Sequence, residues 1–308
     1  MYKTLSVILI LICISAGCIT QNPGQTGPVD DQGINQETYP ETDNQTGQEI
    51  YLITREAGSS IFDGSVAFDE LTGISDPGIE TGYSLGYATI SAGNATSPHR
   101  LADRTEFISV VAGEALIKCD NTEVNAKKGD SVLLPKGVLQ SATALGDEEL
   151  RYISVVDPVF TPEAEIKGES LFALNMTTDE VPVIIPDPKK GIEWDIGSDM
   201  MIYSVLNPVL MPEMNAPVEY SVAYAELLPG GFAQDNYLNG SSELICVIEG
   251  EILVYTPNGN SISVTAGNAA YIPPNQIKGY RNVADSVSTI MSFVDPAWTP
   301  ENTFTPEN

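Results

Sequence analysis

The feature that most constrains the fold of this chain is an internal repeat that covers almost everything after the first 50 residues. Residues 83–88 align with residues 220–225 at a spacing of 137 residues, and Glu106 aligns with Glu243 at the same spacing. After one inserted residue, Val156-Asp157-Pro158 aligns with Val294-Asp295-Pro296 at a spacing of 138. A repeat of this length corresponds to a whole domain that is present twice.

Each copy consists of short apolar segments bounded by glycine and proline turns. In the first copy we predict strands at residues 85–90, 106–111, 114–118, 131–134 and 152–156. Helical periodicity is absent from these segments, and many short strands are most stable when they close into a sandwich or barrel. We therefore predict an all-β fold with a domain at 50–163, a linker at 164–190 and a second domain at 191–308.

The N-terminus has the features of an export signal followed by a polar tether. The apolar stretch at residues 5–14 is too short to span a bilayer, and it leads into Ser15-Ala16-Gly17-Cys18. That ending resembles the lipobox of prokaryotic lipoproteins, in which the cysteine is acylated and becomes the first residue after cleavage. An ordinary signal peptide is the alternative.

We predict a signal peptide at 1–17, lipidation of Cys18 and a flexible tether at 18–49, which is almost free of apolar residues. The lipid makes the membrane a partner and places the protein on the extracytoplasmic face of the cell membrane.

The charge of the chain excludes nucleic acids as partners. The sequence has 42 acidic residues against 14 lysines and arginines, which gives a formal net charge of −28. A field of that sign repels phosphate backbones. Cys119 and Cys246 lie one in each copy, either as two free thiols or as one bridge between the domains.

Each copy resembles a cupin in its framework of glycines and prolines. The first cupin motif has a glycine before His-x-His, then a glutamate and another glycine; the second has a glycine, a proline and later a histidine. The framework residues occur twice, as Gly93, Gly113, Gly129 and Pro135, and as Gly230, Gly250, Gly267 and Pro273. The resemblance implies two tandem double-stranded β-helix, or jelly-roll, barrels that pair with each other within one chain.

The four positions that hold a metal in cupins have changed in both copies. They are occupied by His99, Leu101, Glu106 and Gln140 in the first copy, and by Asn236, Leu238, Glu243 and Lys278 in the second. Leucine cannot ligate a metal, and a protonated lysine repels a cation. We therefore predict neither a metal nor another cofactor.

The polar residues at and beside these positions are predicted to bind a ligand. They are His99, Glu106, Gln140, Asn236, Tyr237, Glu243 and Lys278. Two structural alternatives stay open: His99 hydrogen-bonded to Glu106 or Gln140, and a Glu243–Lys278 ion pair in place of the metal.

Three functions are consistent with these features. A non-catalytic bicupin that binds a saccharide or an organic acid is favoured, and a role in the cell envelope, with barrels plugged by their own side chains, is a second interpretation. The alternative is an enzyme. It would be a metal-dependent dioxygenase or decarboxylase in the first domain, or a metal-free isomerase or epimerase with His99 or Lys278 and a glutamate as acid and base.

Overall fold

The structure is a computed structural model that describes residues 49–56, 58–73, 79–168, 171 and 180–306. The predicted signal peptide, Cys18 and the tether up to residue 48 lie outside the described residues. Within those ranges, no helix is long and apolar enough to cross a lipid bilayer.

The described residues up to position 185 form thirteen strands. They are β1 (Tyr51–Ile53), β2 (Ser59–Ile61), β3 (Val66–Thr72), β4 (Ser84–Ile90), β5 (His99–Leu101), β6 (Thr105–Ala112), β7 (Glu114–Cys119), β8 (Thr122–Lys127), β9 (Ser131–Leu134), β10 (Gln140–Leu145), β11 (Leu150–Asp157), β12 (Glu165–Lys167) and β13 (Val183–Ile185). The five strands predicted from the first repeat are all present.

The second half repeats this pattern. Its strands are β14 (Ile192–Asp195), β15 (Met200–Leu206), β16 (Ser221–Leu227), β17 (Phe232–Leu238), β18 (Ser242–Glu249), β19 (Glu251–Tyr255), β20 (Ser261–Thr265), β21 (Ala269–Ile272), β22 (Lys278–Asn282), β23 (Ser288–Asp295) and β24 (Thr303–Phe304). Short 3-10 helices lie at Phe62–Gly64, Pro162–Ala164, Pro188–Lys190, Pro212–Met214 and Pro300–Asn302.

The strands form two barrels, each built from a seven-stranded and a five-stranded antiparallel sheet. Domain 1 has the orders β13-β9-β6-β11-β4-β3-β2 and β12-β5-β10-β7-β8, and domain 2 has β1-β21-β18-β23-β16-β15-β14 and β20-β19-β22-β17-β24. In each barrel the two sheets face each other across an apolar interior. Closure into barrels leaves few open strand edges. The fold is all-β with two jelly-roll domains.

The domains exchange their outermost strands. Strand β1, at the start of the segment predicted as the first domain, pairs with β21 of domain 2, and β13, within the predicted linker, pairs with β9 of domain 1. The described part of the segment predicted as a linker, 164–190, therefore contains two strands, β13 and also β12, which pairs with β5. The sequence boundaries at residues 50 and 190 do not coincide with the ends of the sheets.

A continuous apolar core joins the outer faces of the two seven-stranded sheets. It contains Leu85 and Phe107 from domain 1 and Leu244 and Phe293 from domain 2. The repeat-related Tyr83 and Tyr220 meet there with ring centroids 5.2 Å apart. The two domains therefore pair within one chain, as the cupin resemblance implies.

Two framework glycines close the turns between β6 and β7 and between β18 and β19. Gly113 and Gly250 have φ angles of +74° and +81°. A Cβ atom would lie 2.4 Å from the Glu149 carbonyl oxygen at the first position and 2.3 Å from the Ser288 hydroxyl at the second. A side chain would be both strained and in collision there, which explains why both copies carry glycine.

Cys119 and Cys246 are free thiols buried in different cores. Cys119 lies in the interior of domain 1, whereas Cys246 lies in the core between the domains. Of the two alternatives left open by the sequence, the structure has the free thiols. Burial, followed by the charge of Asp120, raises the pKa of Cys119 from 9.0 to about 11.

We expect both thiols to react at least about 100-fold more slowly with a disulfide reagent in the folded protein than after denaturation, because the thiolate is the reactive form. The measurement is the absorbance change of Ellman's reagent with residues 19–308, with and without guanidinium. A Ser261→Cys variant, exposed on β20, is the positive control. Release of two thiols within seconds from the native protein would contradict the burial.

Candidate functional site

Each barrel encloses a cavity at the positions where the sequence predicts a ligand site. The cavity of domain 1, called cavity 1, has a volume of about 350 Å³ and is lined by His99, Leu101, Glu106 and Gln140 among others. Its counterpart in domain 2, cavity 2, measures about 300 Å³ and is lined by Asn236, Leu238, Glu243 and Lys278. Apolar side chains make up a large part of the remaining lining of both cavities, as in most small-molecule sites.

A chain of hydrogen bonds connects the polar residues of cavity 1. The Glu106 carboxylate accepts hydrogen bonds from the Ser154 hydroxyl, at 2.6 Å, and from the Gln140 amide nitrogen. The same amide nitrogen lies 3.2 Å from His99 Nε2, and His99 Nδ1 lies 2.9 Å from the Ser97 carbonyl oxygen. Since a carbonyl only accepts, Nδ1 donates and Nε2 accepts from the amide, which describes a neutral imidazole.

The corresponding residues of cavity 2 form an ion pair. Lys278 Nζ lies 2.9 Å from Glu243 Oε2 and donates to Asn236 Oδ1 at 2.6 Å. The Ser292 hydroxyl donates to Glu243 Oε1 at 2.7 Å. Lys278 is 2% exposed and Glu243 is 6% exposed, so both charges are removed from water and depend on each other. This arrangement is the Glu243–Lys278 ion pair that the sequence analysis gave as one alternative, in place of a metal.

The two networks occupy equivalent positions in the sheets. His99 pairs with Gln140 across β5 and β10, as Asn236 pairs with Lys278 across β17 and β22. Both glutamates are in the second position of their strand and each accepts a hydrogen bond from a serine on the last long strand, β11 or β23. The repeat therefore reproduces the geometry of the site, and only the side chains differ.

Burial adds a neutral phenol to the lining of each cavity. Burial first, and the negative charge of Glu106 second, raise the pKa of Tyr152 well above its usual value. Burial and then Glu243 do the same for the pKa of Tyr280 in cavity 2. Both hydroxyls therefore stay protonated at neutral pH.

Six of the seven predicted ligand-binding residues line a cavity, and Tyr237 does not. The Tyr237 ring stacks on Phe304 of β24, with ring centroids 5.4 Å apart and an interplanar angle of 18°. Its neighbours Asn236 and Leu238 point into the barrel, and alternation along the strand directs the residue between them outward. Tyr237 therefore lies apart from the other predicted site residues.

Sequence reasoning missed the two tryptophans of the chain, which both line cavity 2. Trp194 of β14 and Trp298 meet edge to face with centroids 5.2 Å apart. Their indole nitrogens donate to Ser204 at 2.9 Å and to Thr303 at 2.6 Å, which holds both rings in place. The one signal in the sequence was that both tryptophans fall in the second copy.

Comparison with known proteins agrees with the repeat. The cupin domain model matches residues 86–156 and again residues 223–294. No curated protein sequence matches the chain.

Among solved structures, the fold is similar to oxalate decarboxylase from Bacillus subtilis, with a TM-score of 0.64 at 14% identity over 86% of this chain and 80% of that one. It is also similar to the Lactobacillus farciminis oxalate decarboxylase formate complex, with a TM-score of 0.63 at 12% identity over 85% of this chain and 89% of that one. The TM-scores show a shared fold, and at identities this low the comparison shows the fold alone.

The Bacillus subtilis enzyme has Mn(II) centres, but the residues of this chain do not fit such a centre. In cavity 1, the lone pairs of His99 Nε2 and Glu106 Oε2 that would face a metal accept hydrogen bonds from Gln140 instead. In cavity 2, the Lys278 ammonium lies between Asn236 and Glu243. Within the described ranges, no three His, Cys, Asp or Glu side chains cluster as metal ligands.

The domain matches, the two jelly-roll barrels and the exchange of strands between them agree with one another. The chain therefore has the fold of two tandem jelly-roll barrels, and each barrel contains a segment that matches the cupin domain.

Proposed function

We propose that this protein is a bicupin that binds a small molecule in its barrels and is held at the extracytoplasmic face of the membrane by a lipid on Cys18. The observation that carries the proposal is that each barrel keeps a cavity of about 350 or 300 Å³, with apolar walls and a fixed polar network. Sites of this kind bind small ligands through their walls and orient them through a few polar groups. The lipid anchor is supported by the sequence Ser15-Ala16-Gly17-Cys18.

A saccharide or an organic acid suits cavity 2 in particular. The Lys278 ammonium and the Asn236 side chain offer polar contacts to a carboxylate or a hydroxyl group. Trp194 and Trp298 provide rigid apolar surfaces on the same cavity. This combination of ring faces and hydrogen-bonding groups matches a ligand with one apolar face and several polar substituents.

An enzyme is the second candidate, and the fold comparisons favour it because the similar structures are decarboxylases. At 12% to 14% identity this likeness concerns the fold, so the chemistry has to come from the residues of this chain. Since those residues do not fit a metal centre, the version that suits them is metal-free acid–base chemistry. His99 in cavity 1, or Lys278 with Glu243 in cavity 2, would transfer the proton.

A purely structural role in the envelope is less well supported. That interpretation predicts barrels plugged by their own side chains, with Leu101 and Leu238 filling the space. Both leucines do point inward, but each lines a cavity that stays open.

Metal analysis and ligand screening test the proposal together. We expect residues 19–308, expressed with iron, manganese, zinc and copper supplied, to contain metal far below one equivalent. A small-molecule library should yield ligands that raise the melting temperature by about 5 to 10 °C at 100 times the Kd.

The matched variants are His99→Ala for domain 1 and Asn236→Ala for domain 2, and the variant in the occupied domain should reduce the temperature shift. Near-stoichiometric metal that is lost in His99→Ala would replace the proposal with a metal-dependent enzyme. Turnover of a ligand without metal would support the second candidate.

A further inference from the structure

The two networks differ in charge although they occupy equivalent positions. The charged residues that line cavity 2 are Glu243 and Lys278, which neutralise each other. In cavity 1, Glu165 pairs with Lys167, whereas Glu106 takes part in none of the ion pairs found among the described residues. Glu106 therefore lacks the tethered cation that its counterpart Glu243 has.

The only cation among the described residues that line cavity 1 lies away from Glu106. Lys167 pairs with Glu165 at 2.7 Å, and its side chain is 59% exposed, at the rim of the cavity. Glu106 is buried and takes part in none of the ion pairs found in the described ranges, and its hydrogen-bond donors, Ser154 and Gln140, are neutral. A carboxylate can accept about four hydrogen bonds, so Glu106 has capacity for another donor.

Domain 2 shows which group completes such a network. At the position of Gln140 it has Lys278, whose ammonium contacts the glutamate at 2.9 Å. Because Gln140 and Lys278 have the same strand register, this position holds a cation in domain 2 and a neutral amide in domain 1. A buried carboxylate is strongly stabilised by an opposite charge. The ammonium of a ligand would therefore pair with Glu106 as the Lys278 ammonium pairs with Glu243.

The walls of cavity 1 also suit an organic cation. Phe62, Phe68, Phe160 and Tyr152 line the same cavity as Glu106. The Phe62 ring already has a cation near its face, since Lys167 Nζ lies 5.9 Å from its centroid, and it packs on His99 with centroids 5.0 Å apart. Aromatic faces attract ammonium groups, and more strongly when water is excluded.

We infer that cavity 1 binds a small organic amine in its ammonium form, with the charge at Glu106 and the apolar body against the aromatic walls. This inference rests on the proposed function and adds the ligand class for one domain. It also makes the two barrels selective for different ligands, since cavity 2 already contains its own cation.

Benzylamine and its neutral analogue benzyl alcohol test the inference by calorimetric titration of the purified full-length chain. We expect benzylamine to bind at least 10-fold more tightly than benzyl alcohol. Glu106→Gln should remove that preference, whereas the control Glu148→Gln, at an exposed position that does not line cavity 1, should leave the affinities for both compounds unchanged. Gln140→Lys, which copies domain 2, should abolish benzylamine binding while keeping the carboxylate, so the test does not depend on the folding of one variant.

The outcomes separate the inference from the proposed function. Equal affinity for the two compounds, or an unchanged preference in both Glu106→Gln and Gln140→Lys, would overturn the inference and leave a small-molecule site in place. If neither compound binds, the inference is wrong, and cavity 1 then gives no support to the proposed function that the barrels bind a small molecule.

Discussion

Replacing Lys278 with methionine is expected to lower the free energy of unfolding by about 3 to 5 kcal/mol. The ammonium is 2% exposed and lies 2.9 Å from Glu243 Oε2, which has no other cation within the ion-pair contacts of the described residues. The variant would leave a carboxylate buried with one hydroxyl donor, Ser292. Thermal unfolding should show the loss as a decrease of roughly 6 to 20 °C in melting temperature, at about 2 to 4 °C per kcal/mol.

Two further variants isolate the cause of this loss. Lys189→Met breaks the exposed pair that Lys189 forms with Glu226 at 2.7 Å, and it should cost less than about 1 kcal/mol. The double variant Lys278→Met with Glu243→Leu removes both buried charges and should recover most of the stability. A cost below about 1 kcal/mol for Lys278→Met would mean that water reaches the carboxylate.

The burial of the sheets could be predicted from the alternation of residues along single strands. On β7 buried and exposed positions alternate, as on a strand with one face in water. On β23 every position but the last is buried, and its sequence Ser288–Asp295 shows no alternation. Such a strand must be covered on both faces, and domain 1 covers the outer face of β23.

The exchange of strands could not be read from the sequence. Strands β1 and β13 have three residues each, too few to show a period. Proximity along the chain assigns β1 to the first domain, whereas its backbone groups pair with Tyr271 and its neighbours in the second. The core between the domains decides this pairing, and it exists only once both barrels have formed.

The residues of the candidate site that lie on the strands of the cupin motif could be predicted from the sequence. The alignment with the cupin motif placed Glu106 and Gln140 inside one barrel and Glu243 and Lys278 inside the other, where the structure has them. The alternation of side chains along β17 directs Tyr237 away from the interior of the barrel, although the sequence prediction included it among the ligand-binding residues. Trp194 and Trp298 are 104 residues apart, and no local pattern could indicate that they meet on one cavity.

The stability of the protein is expected to decrease as the pH rises through 6, because of a carboxyl group at the domain interface. Burial first, and the charge of Asp295 second, raise the pKa of Asp157 from 3.8 to about 6. An acid whose pKa is raised by folding favours the folded state while it is protonated. Its contribution is therefore fully present below about pH 4 and is lost as the pH rises through 6.

Asp157→Asn should remove this dependence, because the neutral amide keeps an acceptor oxygen for the Glu219 backbone group that contacts Asp157. At pH 7 the variant should be more stable than the natural protein by roughly 1 to 2 kcal/mol, after partial solvent exposure is discounted, and the two should be equal near pH 4. Urea unfolding at pH 4, 5, 6 and 7 measures both curves.

Asp295→Asn removes the second cause of the shift and should reduce the pH dependence in part. Asp147→Asn, at an exposed position, should leave the curve unchanged. Parallel curves for the natural protein and Asp157→Asn between pH 4 and 7 would show that Asp157 ionises in the folded protein as readily as in the unfolded chain. Asp157 would then have no part in how the stability of the protein responds to pH.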